Sequence, residues 1–205
     1  MKNVERPLRT IIRQLGGLGA PWCVVGGIAV SSRTIARFTA DVDLALAVAS
    51  DAEAEGIVFG LSKLGYRPIA LVEQEAVGRL STARMLEPSA TEDQVVVDLI
   101  FASSGIEPEV VADAEPLEIL VGLRAPVPQV GHLIAMKLLS ESDRRMKDRV
   151  DLQALFEVCT PEQLARAANA VELIGRRGFD RGKDLPALLR QWTQQERPDL
   201  LEHLP

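Results

Sequence analysis

Two acidic residues stand at alternating positions in a mostly apolar segment of the chain. Asp41 and Asp43 flank Val42 and lead into the apolar run from Leu44 to Val48. Because side chains alternate across a β-strand, the two carboxylates are expected to face the same side, about 6–7 Å apart. Carboxylates on an apolar strand are costly without a counter-charge. A divalent cation bound by Asp41 and Asp43 would supply that charge.

A pair of glycines lies upstream of these aspartates. The short apolar run from Trp22 to Val25 stops at Gly26 and Gly27, and a segment compatible with a helix follows to about residue 36. Glycines let the backbone come close to a ligand, and the first amides of a helix present unpaired N–H groups to an anion. A phosphate at the glycines beside a metal at the aspartates describes a site for a nucleoside triphosphate and magnesium.

A third carboxylate stands alone in the strongest strand signal of the chain. Asp98 lies within the run from Val95 to Phe101, which is dominated by β-branched residues. On a strand next to Asp41 and Asp43, Asp98 would complete a second metal site or accept the proton of an attacking hydroxyl. Two such ions lie about 3.5–4 Å apart, a distance that one Asp-x-Asp pair can bridge. The alternative is structural: Asp41 begins a strand as a turn residue, and Asp98 pairs with an arginine.

Composition and charge limit the classes of function. The chain has 205 residues, of which 47% are hydrophobic and 25% charged, the balance of a globular protein with one generous domain or two small ones. It contains no apolar run long enough to cross a bilayer, and its first residues lack the apolar core of a signal peptide. With two cysteines in no framework pattern, a reducing, cytoplasmic location is expected. The net charge of −6 argues against broad binding to nucleic acid.

The order of predicted elements indicates an α+β fold. Amphipathic helices are predicted over residues 5–19 and 51–64, and weaker strand signals occur within 66–85. Beyond about residue 129 the pattern is entirely helical. We therefore expect a catalytic core over residues 1–128, built on a mixed sheet flanked by helices, and a helical C-terminal region over residues 129–205 packed on that core.

These motifs together resemble the nucleotidyltransferase superfamily related to DNA polymerase β, whose signature is a glycine pair, a helix, Asp-x-Asp and a third Asp on a neighbouring strand. Taken in order, GG-x-A-V, R-F-T-x-D-x-D, V-D-L-I, A-M-K-L-L-S and K-D-R-x-D-L are similar to the AbiEii-type branch. That branch holds nucleotidyltransferase toxins of abortive-infection and toxin–antitoxin systems, and the likeness covers about residues 20–160. Gly27 departs from the wider superfamily, which often has a serine there to bind a phosphate.

The resemblance implies magnesium-dependent transfer of a nucleotide from ATP or another nucleoside triphosphate to an acceptor hydroxyl, with release of pyrophosphate. The acceptor is a tRNA for some members, and a cognate antitoxin is an implied partner. Carried over to this sequence, Lys137 would contact the triphosphate and Asp148 would orient that lysine or the bound nucleotide. Arg37 would lie near the phosphates at the end of the glycine-led helix, and the three aspartates would hold two magnesium ions.

Other readings of the same residues stay open. The chain could be a nucleotidyltransferase for a small molecule such as an antibiotic, a catalytically idle member that acts by binding, or a glycosyltransferase that uses Asp-x-Asp. Lys137 could extend its stem along the core and leave its charge in water. Asp148 and Asp151 could pair with basic residues on the surface of their own helix, and for Asp151 this structural role is the favoured interpretation.

Overall fold

The computed structural model describes residues 4–35, 39–88, 94–142 and 146–204. Its centre is a five-stranded mixed sheet with the strand order β1-β2-β5-β4-β3. The pairs β1–β2, β5–β4 and β4–β3 are antiparallel, and β2 and β5 are parallel. The five strands are β1 (Trp22–Val24), β2 (Asp41–Leu46), β3 (Arg67–Gln74), β4 (Arg79–Leu86) and β5 (Val96–Ile100). A separate hairpin joins β6 (Glu115–Leu120) to β7 (Leu123–Val127).

Helices occur on both sides of this sheet, and four of them follow one another at the C-terminal end. The described helices are α1 (Glu5–Leu18), α2 (Gly26–Arg33), α3 (Asp51–Lys63), α4 (Glu107–Ala112), α5 (Val130–Ser140), α6 (Met146–Glu157), α7 (Pro161–Arg176) and α8 (Leu185–Glu196), followed by a 3₁₀ helix, Pro198–His203. Among them, none combines the length and the apolar character needed to cross a bilayer.

Local sequence explains where several helices begin. The hydroxyl of Ser50 accepts a hydrogen bond from the Glu53 amide at the start of α3. Thr160 does the same for the Gln163 amide at the start of α7, where Pro161 takes the first helical position. Both side chains satisfy an amide that has no partner within its helix, and a proline is tolerated at that first position because its missing N–H would be unpaired there.

Two hydrophobic clusters, one on each face of the sheet, hold the layers together. Alternation along β2 sends Val42, Leu44 and Leu46 toward the cluster that includes α1 and α3. Ala45 points the other way, into the cluster formed with α2, α4 and the C-terminal helices α5–α8. The expected α+β fold is therefore confirmed, and the C-terminal helices pack on the sheet and on α2. The boundary between residues 128 and 129 stays a prediction.

Candidate functional site

Two of the predicted carboxylates lie side by side on adjacent strands. In the parallel β2–β5 pair, Asp43 is level with Asp98, and Asp41 is level with Val96. Because Asp43 alternates with Val42 and Leu44, its side chain belongs to the sheet face that carries Ala45 and the C-terminal helices. The expected placement of Asp98 beside the Asp-x-Asp strand is thus what the structure shows.

The glycine pair meets the same strand through a close backbone contact. The amide of Val25 donates a hydrogen bond of 2.9 Å to the Asp43 carbonyl. Gly26, which follows at the start of α2, has φ +63°, and a Cβ placed there would lie 1.9 Å from Oδ2 of Asp43. Only glycine allows this approach. The first turn of α2 therefore lies against the carboxylate, with no side chain capping its amides.

Asp43 is short of positive charge. Within the described chain, its half-buried carboxylate receives no hydrogen bond and forms no ion pair, whereas the buried carboxylates of Asp98 and Asp148 do both. The pKa of Asp43 is raised to about 7, first by burial and then by the nearby carboxylates of Asp98 and Asp41, while Lys137 and Arg84 act to lower it. A recessed carboxylate beside two others is a group that a cation would stabilise.

Asp98 has the counter-charge that Asp43 lacks. Arg84 lies directly opposite Asp98 in the antiparallel β4–β5 pair. Its Nε donates to Oδ1 at 2.9 Å and its Nη2 to Oδ2 at 2.7 Å, a bidentate geometry that matches guanidinium to carboxylate. The pairing with an arginine that the sequence left open for Asp98 is therefore present, and it raises the pKa of Arg84.

Lys137 is held by two buried carboxylates on the next helix. Its Nζ lies 2.7 Å from Oδ1 of Asp148 and 2.7 Å from Oδ2 of Asp151. Ser140 donates a further hydrogen bond of 3.2 Å to Oδ2 of Asp148. Asp151 is only 1% exposed, so its predicted role as a partner on the helix surface is wrong: this face of α6 packs inward against α5. The charge of Lys137 reaches Asp43 electrostatically.

The other predicted residues lie in different environments. Gly27 is buried in the first turn of α2, and Asp41 is exposed at the start of β2. Arg37, the predicted phosphate ligand, lies outside the described residues. Arg33, on the helix before it, is tied to the β6–β7 hairpin: it donates to the Pro128 carbonyl at 2.9 Å and pairs with Glu115.

The fit of a metal ion can be judged from these side chains. Among the residues that the structure describes, no three Asp, Glu, His or Cys side chains are gathered closely enough to hold an ion. At Asp98, both carboxylate oxygens already accept a hydrogen bond from Arg84. Asp43, with neighbouring Asp41 and no counter-charge of its own, fits a hard divalent cation, which prefers carboxylate oxygens. Asp41 and Asp43 have the oxygen ligands that such a cation prefers, whereas Asp98 would first have to leave Arg84.

Comparison with known families identifies the family of the chain. The family described as nucleotidyl transferase AbiEii toxin, Type IV TA system, matches residues 11–203, a span that includes every site residue named above. The chain belongs to the AbiEii nucleotidyltransferase toxin family. The family resemblance noted in the motifs is confirmed, and nucleotidyl transfer is the general activity that this membership supports.

Two solved structures are similar to this AbiEii protein over nearly its whole length. An antigenic nucleotidyltransferase-like protein from Paracoccidioides brasiliensis is 17% identical, with a TM-score of 0.56, over 98% of this chain and 91% of that one. The antibiotic-resistance factor ANT(2'')-Ia, solved in solution, is 18% identical with a TM-score of 0.46, over 99% of this chain and 98% of its own. No curated protein matches the sequence. The fungal protein shows the nucleotidyltransferase fold.

Proposed function

We propose that this AbiEii protein uses Mg²⁺ at Asp41 and Asp43 to transfer a nucleotide from a nucleoside triphosphate to an acceptor hydroxyl, with release of pyrophosphate. The observation that carries the proposal is Asp43: a recessed carboxylate that has no ion-pair partner among the described residues, beside Asp98 and against the first turn of α2. Neither a structural ion pair nor a turn residue would have this environment. Asp98 is the third carboxylate of the proposal, as a ligand of the second ion or as the acceptor of the hydroxyl proton.

The protein groups around Asp43 suit the binding of a triphosphate. The first amides of α2 point their N–H groups outward, and a helix N-terminus favours an anion. Gly26 allows that turn to approach the carboxylate. Lys137, fixed by Asp148 and Asp151, would present its ammonium to the phosphates, and the bound ions would neutralise charge on the triphosphate and polarise its α-phosphate.

An RNA, tRNA in particular, is our proposed acceptor, and a cognate antitoxin our proposed partner in the cytoplasm. The antitoxin is suggested by membership of a type IV toxin–antitoxin family, and the tRNA by the acceptor that the family resemblance implies for some members. The net charge of −6 means that such an RNA would bind at a local site near Asp43, because long-range attraction to the whole surface is unfavourable.

Incubation with each of the four labelled nucleoside triphosphates, Mg²⁺ and total RNA tests the proposal. We expect one or more triphosphates to label an RNA, and Asp43→Ala to abolish labelling. Glu55→Ala is the matched control, since Glu55 is an exposed acid on α3 across the sheet from the site, and it should keep full activity. Label on a small molecule in place of RNA would change the acceptor only. Absence of any labelled acceptor, with folded protein, would contradict the proposal.

A further inference from the structure

A row of three charged side chains crosses three strands at one level. Asp43 on β2 is level with Asp98 on β5, which is level with Arg84 on β4. Alternation places all three on one face of the sheet. The row therefore holds two negative charges and one positive charge, and the positive charge is committed to the middle residue by two hydrogen bonds.

We propose that Arg84 is a positioning residue that competes with the cation for Asp98. In the metal-free protein it neutralises Asp98, and it leaves that carboxylate when a cation binds between Asp98 and Asp43. Arg84 thereby sets the affinity of the site for its metal. The inference rests on the proposed function, in which Asp98 is a ligand of the second ion.

The exposure of the two partners gives the direction of this exchange. The side chain of Asp98 is 9% exposed, whereas that of Arg84 is 51% exposed. Arg84 is already half in water, so its guanidinium can leave Asp98 and become fully hydrated without a large rearrangement. Asp98 stays in place and still requires a counter-charge. An arriving cation would replace the guanidinium at a carboxylate that is already fixed.

Chemistry at the two oxygens makes the competition direct. The guanidinium donates to both Oδ1 and Oδ2 of Asp98, so one lone pair of each oxygen is used and the positive charge of Arg84 repels an arriving cation. Asp43, on the other side of Asp98, has no such partner in the described chain. Loss of Arg84 would leave two adjacent carboxylates without a cation, the arrangement that binds a divalent ion most strongly.

A second Arg–Asp pair on the same strand provides the matched control. Arg79, five residues before Arg84 on β4, donates to Oδ1 of Asp51 at 2.6 Å. Asp51 stands at the start of α3, which packs on the opposite face of the sheet. Arg79→Gln thus removes a similar ion pair from the same strand without changing the row of charges at the site.

The experiment is calorimetric titration of the full chain with Mn²⁺ alone at pH 8, for wild type, Arg84→Gln, Arg84→Lys, Arg79→Gln and Asp43→Asn, each checked for folding by circular dichroism. We expect Arg84→Gln to bind Mn²⁺ about tenfold more tightly than wild type, the effect of removing one competing partly exposed pair. Arg84→Lys, which keeps the charge without the bidentate fork, should lie between them. Arg79→Gln should match wild type.

The outcomes separate this inference from the proposed function. If wild type binds Mn²⁺, Asp43→Asn does not, and Arg84→Gln binds no more tightly than Arg79→Gln, the competition is absent while the metal site stands. Weaker binding by Arg84→Gln would also overturn the inference, since Arg84 would then support the ion. If neither wild type nor Arg84→Gln binds Mn²⁺, the proposed metal site itself fails. Should Arg84→Gln not fold, Arg84→Lys decides, with binding tighter than wild type expected.

Discussion

Asp43 and Asp98 are level neighbours on parallel strands, yet only Asp98 has an ion-pair partner in the described chain. The difference arises from the sheet order. Beyond Asp98 lies β4 with Arg84, whereas beyond Asp43 lies the end of β1, where Gly26 contributes no side chain. The metal-free protein therefore carries an electrostatic penalty at Asp43 that a bound cation would remove.

The first prediction concerns the pH dependence of stability in the presence of a chelator. Burial raises the pKa of Asp43 from 3.8 to about 7, so between these values the folded state keeps a proton that the unfolded state has released. The free energy of unfolding should consequently fall as pH rises from about 4 to about 7, by on the order of 2–4 kcal/mol, and then level off. Chemical denaturation of wild type and Asp43→Asn across this range measures the effect.

Asp43→Asn should lack this component and be the more stable protein at pH 8. Glu55→Gln is the control, because Glu55 is an exposed acid on α3 across the sheet from Asp43, and it should keep the slope of wild type. Parallel pH profiles for wild type and Asp43→Asn would show that Asp43 is not the buried charge we describe.

The second prediction concerns the close approach of Gly26 to Asp43. Gly26→Ala combines a left-handed backbone angle with a Cβ that would lie 1.9 Å from Oδ2 of Asp43. Gly78 is the matched control, with φ +59° and no atom within 4 Å of its added Cβ. We expect Gly78→Ala to cost about 1–2 kcal/mol from backbone strain alone. Gly26→Ala should cost at least about 2 kcal/mol more, and it should lose Mn²⁺ binding because the carboxylate must move.

Thermal and chemical unfolding of the two variants give the comparison. Equal losses of stability, together with unchanged Mn²⁺ binding by Gly26→Ala, would mean that the turn relaxes without displacing Asp43. The prediction that Gly26 is needed to place the carboxylate would then be wrong.

Much of the fold and the outline of the site follow from local sequence. The alternation of Asp41 and Asp43 with apolar neighbours and the β-branched run around Asp98 depend on a period of two that any strand imposes. The glycine pair ahead of a helix is likewise a local signal. These features predict which residues share a face, and the structure places Asp43 and Asp98 together as that reasoning requires.

The partners of these residues depend on tertiary register, which the sequence does not state. Arg84 lies in a stretch with a weak strand signal, and only the pairing of β4 with β5 sets it opposite Asp98. One signal was present: Arg84 alternates with the buried Ala83 and Met85, so it had to face the other side. The environment of Asp151 also depends on tertiary packing. Basic residues close in sequence favour a surface pair, but α6 packs against α5 and buries Asp151 beside Lys137.

The third prediction concerns Lys137, whose ammonium is shared by Asp148 and Asp151. Lys137→Met keeps the length of the stem and removes the charge, so two buried carboxylates lose a common partner. We expect a loss of about 3–5 kcal/mol in the free energy of unfolding, the usual result of breaking a buried ion pair from one side.

Arg149→Met, which breaks the partly exposed pair with Glu141, should cost no more than about 1 kcal/mol. Asp151→Asn combined with Lys137→Met should recover part of the loss, because one negative charge fewer then remains where the ammonium was. A Lys137→Met protein as stable as Arg149→Met would show that the two carboxylates do not depend on this lysine, and that Lys137 is not held in place by them for the phosphates.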